Sequence, residues 1–143
     1  MQQNKYLDDL GIDIKSYGTN FMPDDDPRRK SWDKEIVEYG FSSVETWNMD
    51  RIFAEWLYSH MMMYKERNNV ATDREFVEVL VEHEDSFEYV QKSATEVMDE
   101  IIEGAKAYLM ADTYGVDEEA QGAAVRFKTA VRWFADTITY WWW

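Results

Sequence analysis

Three short sequence signals recur at helix-length spacing, and they constrain the fold more than any other feature of the chain. Each is a Ser or Thr followed three residues later by Glu: Ser42–Glu45, Thr72–Glu75 and Ser93–Glu96. In such a capping box the hydroxyl accepts a hydrogen bond from a first-turn N–H, and the carboxylate reaches back to the cap's own N–H. Asp26 before Pro27 and Asp117 after Gly115 supply two further starts, with Pro27 at the first helical position, where its missing N–H costs nothing. Gly115 suits the left-handed end of the preceding helix. These signals predict helices over 28–39, 43–67, 73–90, 94–113 and 118–139.

Apolar spacing supports the same division. The last segment carries Ala120, Ala124, Phe127, Val131, Phe134 and Ile138 as one stripe, and 94–113 carries Val97, Met98, Ile101, Ile102, Ala105, Tyr108 and Leu109. Over 73–90 the stripe is Phe76, Leu80, His83, Phe87 and Val90, widened by Val77 and Val81. The segment 43–67 has apolar residues around most of its circumference, including Trp47, Met49, Ile52, Phe53, Trp56, Leu57 and Met61, and is expected to be the central helix. Two-residue alternation between turn signals is not evident. The expected fold is all-α, a single-domain bundle or orthogonal array of about five helices spanning 28–143. An irregular N-terminal arm, 1–27, precedes it, with one short helical turn near Lys5–Leu10.

Composition narrows the class. At 143 residues, 45% of them hydrophobic and 16% aromatic, the chain can bury one sizeable core and is too apolar for a disordered acidic tail. The absence of cysteine excludes disulfides, thiol nucleophiles and zinc-thiolate sites. The N-terminus resembles neither a signal peptide nor a transit sequence, and no window approaches the ~20 apolar residues of a membrane span.

From Gly40 onward the sequence resembles a family of small tailed-phage proteins. Gly40-Phe41-Ser42, Glu45-Thr46-Trp47-Asn48-Met49-Asp50 and Ala54-Glu55-Trp56-Leu57 match a glycine-aromatic-serine, two variable residues, acid-Thr-Trp-Asn-Leu-Asp pattern leading into an amphipathic helix. Met98 to Gly104 and the final helix with Phe127, Phe134 and Trp141 are similar to two further patches of that family. Met49 stands where the family has leucine. The resemblance implies a phage origin, hence the cytoplasm of an infected bacterial host, and assigns no catalytic residue. Within the patch, Ser42 and Glu45 form the box, Thr46 can bond back along the chain and Trp47 is expected to anchor the helix start in the core.

Catalytic signatures are missing. A di-iron bundle needs Glu-x-x-His pairs, yet Leu57 precedes His60 and Leu80 precedes His83 at that spacing, and no His-x-x-x-His occurs. There is no Gly-x-Ser-x-Gly elbow or glycine-rich phosphate loop. No catalytic residue, metal site or cofactor is expected. His83 reads as a packed boundary histidine and His60 as a helix-surface residue.

Charge is more informative. The formal net charge is -14, and residues 73–103 hold 11 acids against Arg74 and Lys92 alone. On helices, Glu75, Glu78, Glu82, Glu84, Asp85 and Glu88, followed by Glu96, Asp99, Glu100 and Glu103, would stand opposite the apolar stripes. Spaced at about 5.4 Å per turn, they would resemble a row of phosphates with few basic partners. Such a face either keeps the protein soluble or fits a basic groove built for nucleic acid. The expected function is therefore an acidic, non-enzymatic helical inhibitor, a nucleic-acid decoy for a host or anti-phage defence protein such as a CRISPR nuclease. Direct nucleic-acid binding is disfavoured, because Arg28-Arg29-Lys30 is the only basic run and acids flank it. The alternatives are a module that sequesters a nucleotide with Arg126, Lys128, Arg132 and nearby aromatics, or a virion or assembly accessory protein. Trp142 and Trp143, at the end of Tyr140-Trp141-Trp142-Trp143, need a further surface and point to homodimer contacts.

Overall fold

The computed structural model describes residues 4–12, 25–67, 75–111 and 117–141. In chain order these form α1 (Lys5–Asp9), α2 (Pro27–Tyr39), a 3-10 turn (Ser43–Thr46), α3 (Met49–Arg67), β1 (Phe76–Glu82), β2 (Phe87–Ser93), α4 (Ala94–Met110) and α5 (Glu118–Thr137). The fold is mostly helical but not all-α, because β1 and β2 pair as an antiparallel hairpin.

The hairpin replaces the helix expected over 73–90. Phe-Val-Glu-Val-Leu-Val-Glu alternates valine with other side chains, and β-branched valine fits a pleated, half-buried surface better than a helix. Val77 and Val79 are buried on one face, while Phe76, Glu78 and Glu82 are exposed on the other. The expected helical stripe is not formed: Phe76 and Phe87, two of its anchors, are 62% and 68% exposed. His83 N–H donates to Ser86 C=O at 2.8 Å across the turn, and Ala94 N–H donates to Glu75 C=O at 2.8 Å at the other end. Thr72, the first half of the capping box expected there, lies outside the described residues.

Elsewhere the capping signals hold. Asp26 accepts from Arg28 N–H at 2.9 Å with Pro27 opening α2, and Gly40, at φ 85°, closes that helix in the left-handed region open to glycine. The Glu45 carboxylate accepts from Ser42 N–H at 2.9 Å, although the box starts a 3-10 turn before α3 begins at Met49. Ser93 Oγ accepts from Glu96 N–H at the head of α4, and Asp117 accepts from Ala120 N–H at the head of α5. Gly115 lies outside the described residues.

The central helix is α4, not α3. It packs against both α3 and α5, and Val97, Ile101 and Ala105 are fully buried with Met98, Ile102 and Leu109 nearly so. Burying side chains of the Ile101 and Leu109 kind stabilises the fold by roughly 1.5–3 kcal/mol each. α4 and α5 approach closely at Gly104, where a Cβ would stand 2.7 Å from Ala130 Cβ and 3.0 Å from the Arg126 carbonyl oxygen. The short helical turn expected near Lys5–Leu10 is α1. Asn4 caps α1, donates to Ser59 Oγ at 2.8 Å, and delivers Tyr6 and Leu7 into the core.

Candidate functional site

The hairpin separates the carboxylates that a helix would have aligned. Glu78 and Glu82 share one face with Phe76, whereas Glu88 points to the opposite face, and Glu84 and Asp85 form the turn. Glu75 precedes β1 and accepts a hydrogen bond from the Tyr140 hydroxyl. On α4, Asp99 leans toward α3 and meets Lys65 at 2.9 Å, while Glu100 leans toward α5 and meets Arg126.

Cations from elsewhere in the fold reach this region, contrary to the sequence expectation. Arg132 pairs with Glu82, Lys65 with Asp99 and Arg126 with Glu100, while Lys92, one of the two cations within 73–103, pairs with Glu96 at 3.2 Å. Glu88 is hydrogen-bonded to His83 at 2.9 Å. Among the described residues, Glu78, Glu84, Asp85 and Glu103 remain without a hydrogen-bonded or ion-paired partner. The continuous row of phosphate-like charge is therefore not formed. A change of backbone period moved half of it, and tertiary contacts invisible to local charge counting neutralised much of the rest.

Two of the three cations suggested for a nucleotide, Arg126 and Arg132, are committed too. Glu100 holds the Arg126 guanidinium through two bonds and raises its pKa, chiefly by that hydrogen bonding. Arg132 is occupied by Glu82, and Phe127 is buried against Tyr108, with ring centroids 4.5 Å apart. Trp142 and Trp143, the expected oligomer contacts, lie outside the described residues.

What the structure does assemble is an apolar groove of about 890 Å³ between the α3 start and the α5 end. Its lower wall is Met49, Ile52, Phe53 and Trp56 from α3, and its upper wall is Val131, Phe134, Ala135 and Ile138 from α5. Phe41 and Thr46 lie at one end and Trp141 at the other, and Glu45 is the single charged lining residue among the described residues. Phe53 stacks on Trp56 at 5.9 Å and Phe134 meets Trp56 edge-on at 6.0 Å, so the floor is a fixed aromatic layer. Met49 is 65% exposed and Ile138 56%.

A second cavity of about 680 Å³ shares Trp56, Phe134 and Trp141 with the groove and extends it toward α1. This end is more polar, with Asn4, Lys5, His60, Glu66 and Arg67 in its wall. His60 stacks on Trp56 at 4.2 Å, and its Nδ1 lies 2.7 Å from the Trp56 carbonyl oxygen. Tyr6 donates to Glu66 at 2.7 Å, a bond that raises the Tyr6 pKa, with burial adding to it.

The groove answers two expectations that held only in part. The stripe assigned to the interior of α5 holds at Phe127, which is buried, and Val131 and Phe134 pack half-buried against the core, but Ile138 is exposed and the helix also buries Ala123, Ala130, Trp133 and Thr137. Similarly, α3 turns Ala54, Leu57, Tyr58 and Met61 to the core and its other apolar side to the groove. Apolar residues all round α3 were the available signal, and they mark a helix with two apolar faces rather than a central one. Trp47 does not anchor the core either. It is 58% exposed and packs edge-on against the buried Trp32 at 5.5 Å.

Among the described residues, no group of three His, Asp or Glu side chains could hold a metal ion, and no helix is long and apolar enough to cross a membrane. In comparisons with known proteins, no family model, curated protein or solved structure matches the chain.

Proposed function

We propose that this chain is a non-enzymatic phage protein that inhibits a host or anti-phage defence protein by docking onto it through the α3–α5 groove. The partner surface is an apolar helix or ridge flanked by lysine and arginine, as found beside nucleic-acid-binding sites, and the encounter takes place in the cytoplasm of the infected bacterium. The observation that carries this reading is the groove itself, in which exposed and half-buried aliphatic and aromatic side chains line an open trough whose one charge among the described residues is Glu45. Contiguous exposed apolar surface of this kind marks a contact site, and an amphipathic helix laid into such a groove is a recurring mode of recognition. The net charge of -14 adds long-range steering toward a basic partner, a role that survives the loss of an ordered acidic row.

The test compares two sets of substitutions in capture from host extract at low and high salt. Met49→Glu and Ile138→Glu, both at exposed groove positions, are expected to abolish retention of the partner. Reversal of Glu78, Glu84 and Asp85 to Lys is expected to slow association and flatten its salt dependence while retaining the complex. The opposite outcome, groove variants binding as wild type and charge reversals abolishing binding, overturns groove docking in favour of an acidic decoy.

A further inference from the structure

The two edges of the hairpin are treated differently by the fold. On the β1 side, α5 closes the edge: Asp136 accepts from Leu80 N–H at 2.9 Å, and Trp133 Nε1 donates to Leu80 C=O at 3.0 Å. Leu80 is paired with Tyr89, and its backbone groups face α5 rather than β2. The bonds at His83–Ser86 and Glu75–Ala94 fix the same alternation from both ends of the ladder. Tyr89 must therefore aim its own N–H and C=O away from β1, as must Phe87 and Gln91 two residues to either side. Among the described residues, nothing pairs with that edge, and the side chains of Phe87 and Tyr89 beside it are 68% and 62% exposed.

We propose that β2 is the contact edge of a homodimer, in which a second copy adds its own β2 antiparallel to this one and the two hairpins become a four-stranded sheet. The charge pattern of the strand selects a second copy as the occupant and also sets the register. β2 runs Phe87–Ser93, so full two-fold overlap centres on Val90. In that register Tyr89 faces Gln91 of the second copy as a hydrogen-bonded pair, matching the outward groups just identified. Glu88 then faces Lys92 of the second copy, and Lys92 faces its Glu88, at non-hydrogen-bonded positions where side chains approach most closely, the two groups exchanging their partners within the chain, His83 and Glu96, for one another. Slipping the strands by two residues about the axis sets Glu88 against Val90, and slipping by four sets Glu88 against Glu88 or Lys92 against Lys92. Only the full-overlap register pairs both charges. An uncovered edge carrying exposed aromatics is otherwise a template for indiscriminate pairing, and self-complementary closure removes it.

The test is a charge swap followed by analytical ultracentrifugation of the full chain over a concentration series. Wild type is expected to dimerise. Glu88→Lys and Lys92→Glu alone each create like-charge pairs and are expected to weaken the dimer by about tenfold or more, whereas the double variant E88K/K92E restores it. Tyr89→Pro removes an outward N–H without taking a donor from the hairpin ladder and is expected to leave a folded monomer by circular dichroism. A wild type that stays monomeric to high micromolar concentration overturns the proposal. So does a dimer that both single reversals and Tyr89→Pro leave intact, or single-variant losses that the double variant fails to restore.

Discussion

The Arg126 guanidinium on α5 grips Glu100 on α4 through two hydrogen bonds of 2.9 and 3.2 Å. One pair thus ties the most closely packed helices together and removes a carboxylate from the surface that the sequence left uncompensated. Both side chains are part exposed, so the stabilisation is modest despite the two-pronged geometry. Glu100→Gln is expected to lower stability by roughly 0.5–1 kcal/mol. In chemical denaturation the wild-type advantage should shrink as salt rises, and a loss independent of ionic strength would contradict an ionic origin.

Close packing at Gly104 predicts a specific rescue. Alanine is intrinsically the better helix former by about 1 kcal/mol, yet a Cβ here collides with Ala130 Cβ and crowds the Arg126 carbonyl. Overpacking of this kind costs about 1–3 kcal/mol, so Gly104→Ala is expected to destabilise. Adding Ala130→Gly should recover part of the loss in thermal melts, because it removes one of the two obstructing atoms.

The edge contacts of β1 make a local prediction. Trp133→Phe keeps most of the buried ring and deletes the hydrogen bond to Leu80 C=O, an expected loss of about 1 kcal/mol. Asp136→Ala removes the acceptor for Leu80 N–H, and that amide should exchange with solvent faster than its neighbours in the ladder. Unchanged protection at Leu80 would mean that α5 does not close this edge.

Alkaline pH should unfold the protein through its tyrosines. Burial pushes Tyr108 up to about 12, with the bond to Asp50 adding to it, and burial likewise raises Tyr140, reinforced by its bond to Glu75. A folded-state pKa above the unfolded value means that the native state holds a proton which the unfolded chain releases. The associated stability is complete below pH 10 and declines as pH rises from there through the folded-state value, near 12 for Tyr108. Tyr108→Phe and Tyr140→Phe should each make the stability profile flatter over that interval in denaturant titrations at fixed pH.

The capping residues show how much of the fold was locally encoded. Asp26, Ser93 and Asp117 act within three residues of their partners, so sequence spacing alone places the starts of α2, α4 and α5. The buried stripe of α4 was equally legible, because Val97, Ile101 and Ala105 lie on a single helical face with polar residues opposite. The hairpin was missed where two periodicities coexist. Phe76, Leu80, Phe87 and Val90 suit a helix, while Val77, Val79 and Val81 suit a strand, and packing of the valines decided between them.

The candidate site was legible only as a surplus. Trp56, Phe134 and Ile138 were recognised as apolar, but each was assigned to the interior because one apolar face per helix is the usual economy. Sequence by itself determined the helix starts, the apolar content of each segment and the total charge, all properties of single residues or of neighbours within a turn. Tertiary structure decided which apolar face meets the core and which is left as a groove, and which carboxylates meet Arg126, Arg132 or Lys65. Those outcomes depend on contacts between residues distant in the chain, whose geometry exists only once the helices and the hairpin have packed.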